Sequence, residues 1–196
     1  MNTLYLTLNL EGKLLNNRYY LSELIACKNY YQVYQARDIV KHRKCVVKRL
    51  ANSCDRYEFW QQRELMFQPE AAILQKLAGK HDRISQFYDY FREDTSRYSI
   101  QEWIPGVTLE QKLQLEKFSE SETQKILLDL LIVLECVHSW GIFHCDIKPH
   151  NIMLRSSDNL PVLMDFSAAR QIGDRLQLNS ICCLDVGVSL EGIVRK

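Results

Sequence analysis

The chain has 196 residues, 46% of them hydrophobic and 25% charged, which is ample material for a packed core, and nothing in this composition suggests wholesale disorder. A net charge of +1 leaves no strong electrostatic case for a nucleic-acid or anionic-membrane partner. Met1–Leu6 lacks a basic region and a cleavage site, and the most apolar segment, Ile126 to Val137, is shorter than a membrane span and carries Asp129 and Glu135; neither a signal peptide nor a span is expected, and the expected compartment is the cytoplasm.

In chain order, residues 1–17 read as a leader of little structure ending in the turn-prone Asn16-Asn17. Runs rich in Tyr, Val and Ile predict strands at Tyr19–Ile25, Gln32–Ala36 and Cys45–Arg49, an antiparallel meander. A helical region follows from Asp55 to Leu77, with Pro69 restarting or kinking it because proline cannot donate a backbone bond in a helix interior. Two more strands are predicted at Ile84–Phe91 and Arg97–Trp103. Ile104-Pro105-Gly106 then marks a hinge between a strand-rich part, 18–103, and a helical part, 104–170. Thr108–Leu115 reads as a short helix. Ser119 with Glu122 fits a capping box, opening a long helix that carries Ile126, Leu127, Leu130, Leu131, Leu134 and Val137 at helical spacing and stops at Gly141. Seven cysteines without C-x-x-C pairs read as reduced thiols and not as a metal site. The tail 171–196 has only weak pattern.

The chemistry concentrates in His144-Cys145-Asp146-Ile147-Lys148-Pro149-His150-Asn151, followed closely by Met164-Asp165-Phe166-Ser167. Two acids, a lysine and an asparagine at this spacing can hold metal ions, a terminal phosphate and a hydroxyl nucleophile together, the set that phosphoryl transfer needs. The plainer alternative is that Asp146 and Asn151 only tie down a loop by local hydrogen bonds.

The eight residues resemble the catalytic-loop pattern H-R-D-L-K-P-x-N of the eukaryotic-type protein kinases in a bacterial form, and Asp165-Phe166-Ser167 resembles the D-F-G element that follows it. The resemblance covers roughly residues 18–170. It implies an α+β, protein-kinase-like two-lobe fold: an antiparallel-sheet N-lobe with one main helix and an incomplete helical C-lobe. It implies that Asp146 orients the substrate hydroxyl and accepts its proton, that Lys148 neutralises charge on the moving phosphoryl group, and that Asn151 and Asp165 supply oxygen ligands to Mg2+. His144 is expected to brace the loop. Cys45-Val46-Val47-Lys48 resembles the third-strand V-A-I-K, which places Lys48 against the phosphates of ATP. Glu70 is the favoured partner for that lysine, with Glu64 the alternative, and the backbone of Glu102, Trp103 and Ile104 is expected to bind adenine.

The chain departs from the pattern in three places. The glycine-rich loop aligns with Ala26-Cys27-Lys28-Asn29-Tyr30-Tyr31-Gln32-Val33, where all three glycines are replaced. Glycine lets backbone amides approach phosphates closely, so weakened ATP binding is expected; Lys28 either lends charge to the phosphates or is an ordinary exposed loop lysine. Cys145 stands where many members carry an arginine, and Ser167 replaces the D-F-G glycine. Residues 171–196 match none of the activation segment or later helices, so the chain reads as C-terminally truncated, with an apolar face of the helix Glu122–Ser139 bare and prone to association. The implied activity is ATP-dependent phosphorylation of Ser/Thr hydroxyls in a protein substrate. A pseudokinase acting as a binding module and a small-molecule phosphotransferase are the alternatives.

Overall fold

The computed structural model describes residues 9–28, 31–50 and 70–172. Expectations for the first eight residues, the loop tip Asn29-Tyr30, the Lys28 side chain, the helix over 55–69 with Glu64 and Pro69, and the tail beyond 172 fall outside the described residues.

The described residues form two compact units, one drawn from 9–78 and 85–104, the other from 79–84 and 105–172. The first contains a six-stranded antiparallel sheet in the order β1-β2-β3-β4-β6-β5. Its strands are β1 (Leu14–Leu15), β2 (Tyr19–Lys28), β3 (Tyr31–Asp38), β4 (Arg43–Leu50), β5 (Phe87–Glu93) and β6 (Ser96–Glu102). On β3 every second residue, Gln32, Tyr34, Ala36 and Asp38, is buried, the period that a sheet with one covered face imposes. Of these, Tyr34 and Ala36 join Leu10, Leu15, Tyr19, Leu21, Cys45, Val47, Tyr98 and Ile100 in one core. There Phe91 stacks on Tyr19 at 5.8 Å and on Tyr98 at 5.3 Å between ring centroids.

Residues 9–17 correct the expectation of a leader with little structure. Leu10 and Leu15 are buried, β1 pairs with β2, and the Leu10 amide donates to the Tyr34 hydroxyl at 3.2 Å. Asn16 and Asn17 do form the turn, both in the left-handed region at φ 48° and 49° that asparagine tolerates better than most residues. The strand expected from Ile84 begins at Phe87, because Ile84 belongs to the second unit and bridges Leu163 within it.

Cys45 and Val47 of β4 face the aromatic core, so alternation sends Lys48 to the opposite face of the sheet. Helix α1, residues 70–77, buries Glu70, Ile73, Leu74 and Leu77, one stripe at i, i+3, i+4 and i+7.

The second unit carries a three-stranded antiparallel sheet of β7 (Gly106–Thr108), β9 (Ile152–Arg155) and β10 (Pro161–Leu163), and a two-stranded ladder of β8 (Ile142–Phe143) with β11 (Arg170–Gln171). Thr108 and Gln111 cap α2 (Leu109–Leu115) reciprocally, and Ser119 and Glu122 do the same for α3 (Glu120–Ser139). Gly141 follows α3 at φ 66°, its amide donating to the His138 carbonyl at 2.8 Å. At Gly106 a Cβ would collide with the Leu154 carbonyl across the β7–β9 ladder, so only glycine allows this approach. Gly106→Ala is expected to lower the free energy of unfolding by about 1–3 kcal/mol, the usual cost of forcing a methyl into packed surroundings, as read from urea melts.

Only Leu130, Val133 and Val137 of α3 are buried, while Leu127, Leu128, Leu131 and Ile132 are 44–64% exposed. Contiguous apolar surface of this kind favours self-association. The protein expressed alone is expected to elute above its monomer size, and Leu128→Lys/Leu131→Lys to shift elution towards the monomer; an unaltered elution volume would contradict this.

Candidate active site

Each unit carries its own set of functional groups. In the first, the Lys48 ammonium lies 3.0 and 3.2 Å from the two carboxylate oxygens of Glu70, and both side chains are buried. Burial makes a charged pair of this kind stable only because each partner satisfies the other. The ring of Tyr31, the first residue of β3, lies 5.0 Å from the Lys48 nitrogen. That contact was not anticipated, although a β3–β4 register pairing Val33 with Lys48 would have put Tyr31 diagonally across from the lysine. At the end of β6 the Glu102 amide donates to the Gln86 carbonyl at 2.8 Å. The Glu102 N–H is thus committed within the sheet edge, and Ile104, two residues on, is buried.

In the second unit the loop from His144 to Asn151 runs between β8 and β9 and ends in a 3-10 turn over Pro149–Asn151, whose first residue is a proline with φ already set for such a turn. His144 is fully buried. Its Nε2–H donates to the Met164 carbonyl at 2.9 Å, its Nδ1 accepts from the Asp146 amide at 3.3 Å, and its ring meets Phe166 edge-on at 4.6 Å. Burial pushes the His144 pKa down, so the imidazole stays neutral and keeps this tautomer. The Met164 amide returns a bond to the Asn151 carbonyl at 2.9 Å. The loop and the Met164-Asp165-Phe166 stretch are therefore laced together by backbone and imidazole alike.

This lacing holds two strained residues. Cys145 and Asp165 adopt left-handed backbone at φ 59° and 56°, which costs a non-glycine residue on the order of 1–3 kcal/mol and persists only where the surroundings over-determine it. The fully buried neighbours His144 and Phe166 provide that anchoring.

Between these anchors, the Asp146 carboxylate accepts from Lys148 Nζ at 2.7 Å and from Asn151 Nδ2 at 2.8 Å, both on Oδ2. Asn151 Nδ2 also donates to the Asp146 carbonyl at 2.9 Å. The bonds that could merely tie down a loop do exist, yet both side-chain bonds end on one oxygen of Asp146, and its carboxylate remains 32% exposed. His150 Nδ1 lies 3.0 Å from a carboxylate oxygen of Glu110 on α2, a hydrogen-bonded link between loop and helix that was not foreseen, since nothing local in the sequence connects positions 40 residues apart.

Asn151 and Asp165 suit a magnesium ion by donor chemistry. The amide N–H groups of Asn151 are turned to Asp146, which leaves its carbonyl end for a hard cation, and Asp165 adds a carboxylate. Among the described residues no cluster of three or more His, Cys, Asp or Glu could cage a metal. Two oxygen ligands completed by water and phosphate are the usual manner of holding Mg2+.

A sequence profile of the protein kinase domain matches residues 28–186. The chain belongs to the protein kinase family. Its α+β fold class, with an antiparallel sheet in the first unit, is the family's. This kinase-family chain is 40% identical over 162 residues to serine/threonine-protein kinase C of Synechocystis sp., covering 81% of this chain and 30% of that protein. It is 41% identical over 162 residues to serine/threonine-protein kinase PknA of Nostoc sp., covering 81% and 29%. To the probable serine/threonine-protein kinase YbdM of Bacillus subtilis it is 30% identical over 164 residues, covering 83% and 61%. The chain thus spans less than a third of the length of the two cyanobacterial kinases. No helix among the described residues is long and apolar enough to cross a membrane.

Proposed function

We propose that this chain transfers the γ-phosphoryl group of ATP to Ser or Thr hydroxyls of a protein substrate. The observation that carries this reading is the one-sided bonding of Asp146: Lys148 and Asn151 both hold Oδ2, so Oδ1 is the acceptor offered to a hydroxyl proton. As the hydroxyl oxygen bonds to the γ-phosphorus and the bond to ADP breaks, the proton passes to Asp146. Lys148, half-exposed on the same carboxylate, offsets charge on the phosphoryl oxygens. Asn151 and Asp165 hold Mg2+, which supplies charge neutralisation on the phosphates when bound. In the first unit Lys48, oriented by Glu70, binds phosphate, while the Glu102 carbonyl and the Trp103 and Ile104 backbone receive adenine. The reaction belongs to the cytoplasm, where ATP is supplied.

The Lys148-Pro149 pair, and relatives whose names specify serine/threonine kinases, support Ser/Thr as the acceptor class. The test is incubation with Mg2+, γ-labelled ATP and a general protein acceptor such as casein. Label is expected in phosphoserine and phosphothreonine with the wild type and absent with Asp165→Asn. Binding of Mg2+-ATP without any transfer would replace the enzyme by a nucleotide-binding module.

A further inference from the structure

In the aligned glycine-rich pattern, position 31 is a glycine with no side chain; here it is a tyrosine that opens β3. Strand pairing sets Val33 opposite Lys48 and Tyr31 opposite Leu50, so Tyr31 and Lys48 are diagonal neighbours on one face of the sheet. The Tyr31 ring sits with its centroid 5.0 Å from the Lys48 ammonium, inside the range of about 6 Å within which an aromatic face attracts a cation. Glu70 grips the same ammonium with both carboxylate oxygens, at 3.0 and 3.2 Å.

We propose that Tyr31 is a positioning residue that acts through Lys48: its ring holds the ammonium on Glu70 and competes with nucleotide phosphate for it. The face of an aromatic ring carries the negative part of its quadrupole, so the surface that attracts the lysine repels a phosphate approaching along that side. A glycine there would leave the side open. The replacement at position 31 therefore weakens nucleotide binding by covering the phosphate-binding cation, a cause separate from backbone stiffening in the loop.

This inference rests on the proposed role of Lys48 in binding phosphate. The test is titration of Mg2+-ATP into the full chain, read by calorimetry, for wild type, Tyr31→Phe, Tyr31→Leu, Lys48→Met and Lys48→Met/Tyr31→Leu. Phenylalanine keeps the ring and is expected to leave Kd unchanged. Leucine keeps most of the bulk without the π-face and is expected to tighten Kd roughly three- to tenfold, the size of a partly desolvated cation–π contact. In the Lys48→Met background the leucine substitution is expected to change nothing, because the group through which Tyr31 acts is gone. A leucine variant that binds like wild type, or tightens equally without Lys48, overturns the inference alone. If Lys48→Met binds Mg2+-ATP as well as wild type, or no variant binds, the role given to Lys48 fails and the inference fails with it.

Discussion

Asp146→Asn is expected to lower kcat by about 10²–10⁴-fold, the span that a positioned general base contributes, while leaving KM for ATP close to the wild-type value. The substitution changes charge and basicity with almost no change of shape. An asparagine oxygen still accepts the Asn151 Nδ2 bond that now ends 2.8 Å away on the carboxylate, so the loop keeps its closure. What is lost is the acceptor for the hydroxyl proton and the negative partner that holds Lys148 at 2.7 Å. The Lys48–Glu70 pair and the backbone proposed to receive adenine are not touched, which separates this variant from Lys48→Met, where KM should rise. Steady-state assays over a range of ATP concentrations, with a thermal melt to show that the fold survives, decide the matter. An Asp146→Asn protein with undiminished kcat would remove Asp146 from the chemistry.

The second large effect is on stability. Glu70→Ala should lower the free energy of unfolding by about 3–5 kcal/mol, because it takes the carboxylate away from a buried ammonium. Glu70 is 1% exposed and Lys48 8%. Domains are stable by only about 5–15 kcal/mol, so this one change removes a large share. The pair need not be a net stabiliser. Lys48→Met/Glu70→Leu, which replaces both charges by apolar groups of similar size, is expected to recover most of the loss. Urea unfolding of the two variants checks both statements, and a single-variant loss below about 1 kcal/mol would contradict the description of Lys48 and Glu70 as a mutually dependent buried pair.

Much of this molecule was legible in its sequence where structure depends on local pattern. The Ser119/Glu122 box, the stop at Gly141 and the strands around Val33, Val47 and Ile100 all follow from short-range periodicity. The Asp146, Lys148 and Asn151 contacts were legible for the same reason, being two to five positions apart. The ladders of β7, β9 and β10 were missed because strands of three or four residues are too short to display a period of two. Residues 9–17 looked like a leader because Leu10 and Leu15 are isolated among polar neighbours, and their burial depends on Tyr34 and β2, which no local window contains. The Tyr31–Lys48 contact was hidden because register between strands, and not spacing along one, decides it.

The short excursion Gly79–Ile84 has a consequence for how the chain acquires its structure during synthesis. These residues leave the ribosome early, yet their partners come late: the Arg83 guanidinium bonds the Asp129 carbonyl 46 positions on, the Asp82 carbonyl accepts from Arg155 73 positions on, and the Arg83 carbonyl accepts from the Leu163 amide. Contacts of such sequence separation form slowly, since the loop between them must close before any bond rewards it. The excursion also interrupts the first unit, whose β5 and β6 are made only after it. Neither unit is a continuous stretch of chain, so a nascent protein has no point at which one half is finished before the other has begun, and a cleavage at Ile104 would release no intact half.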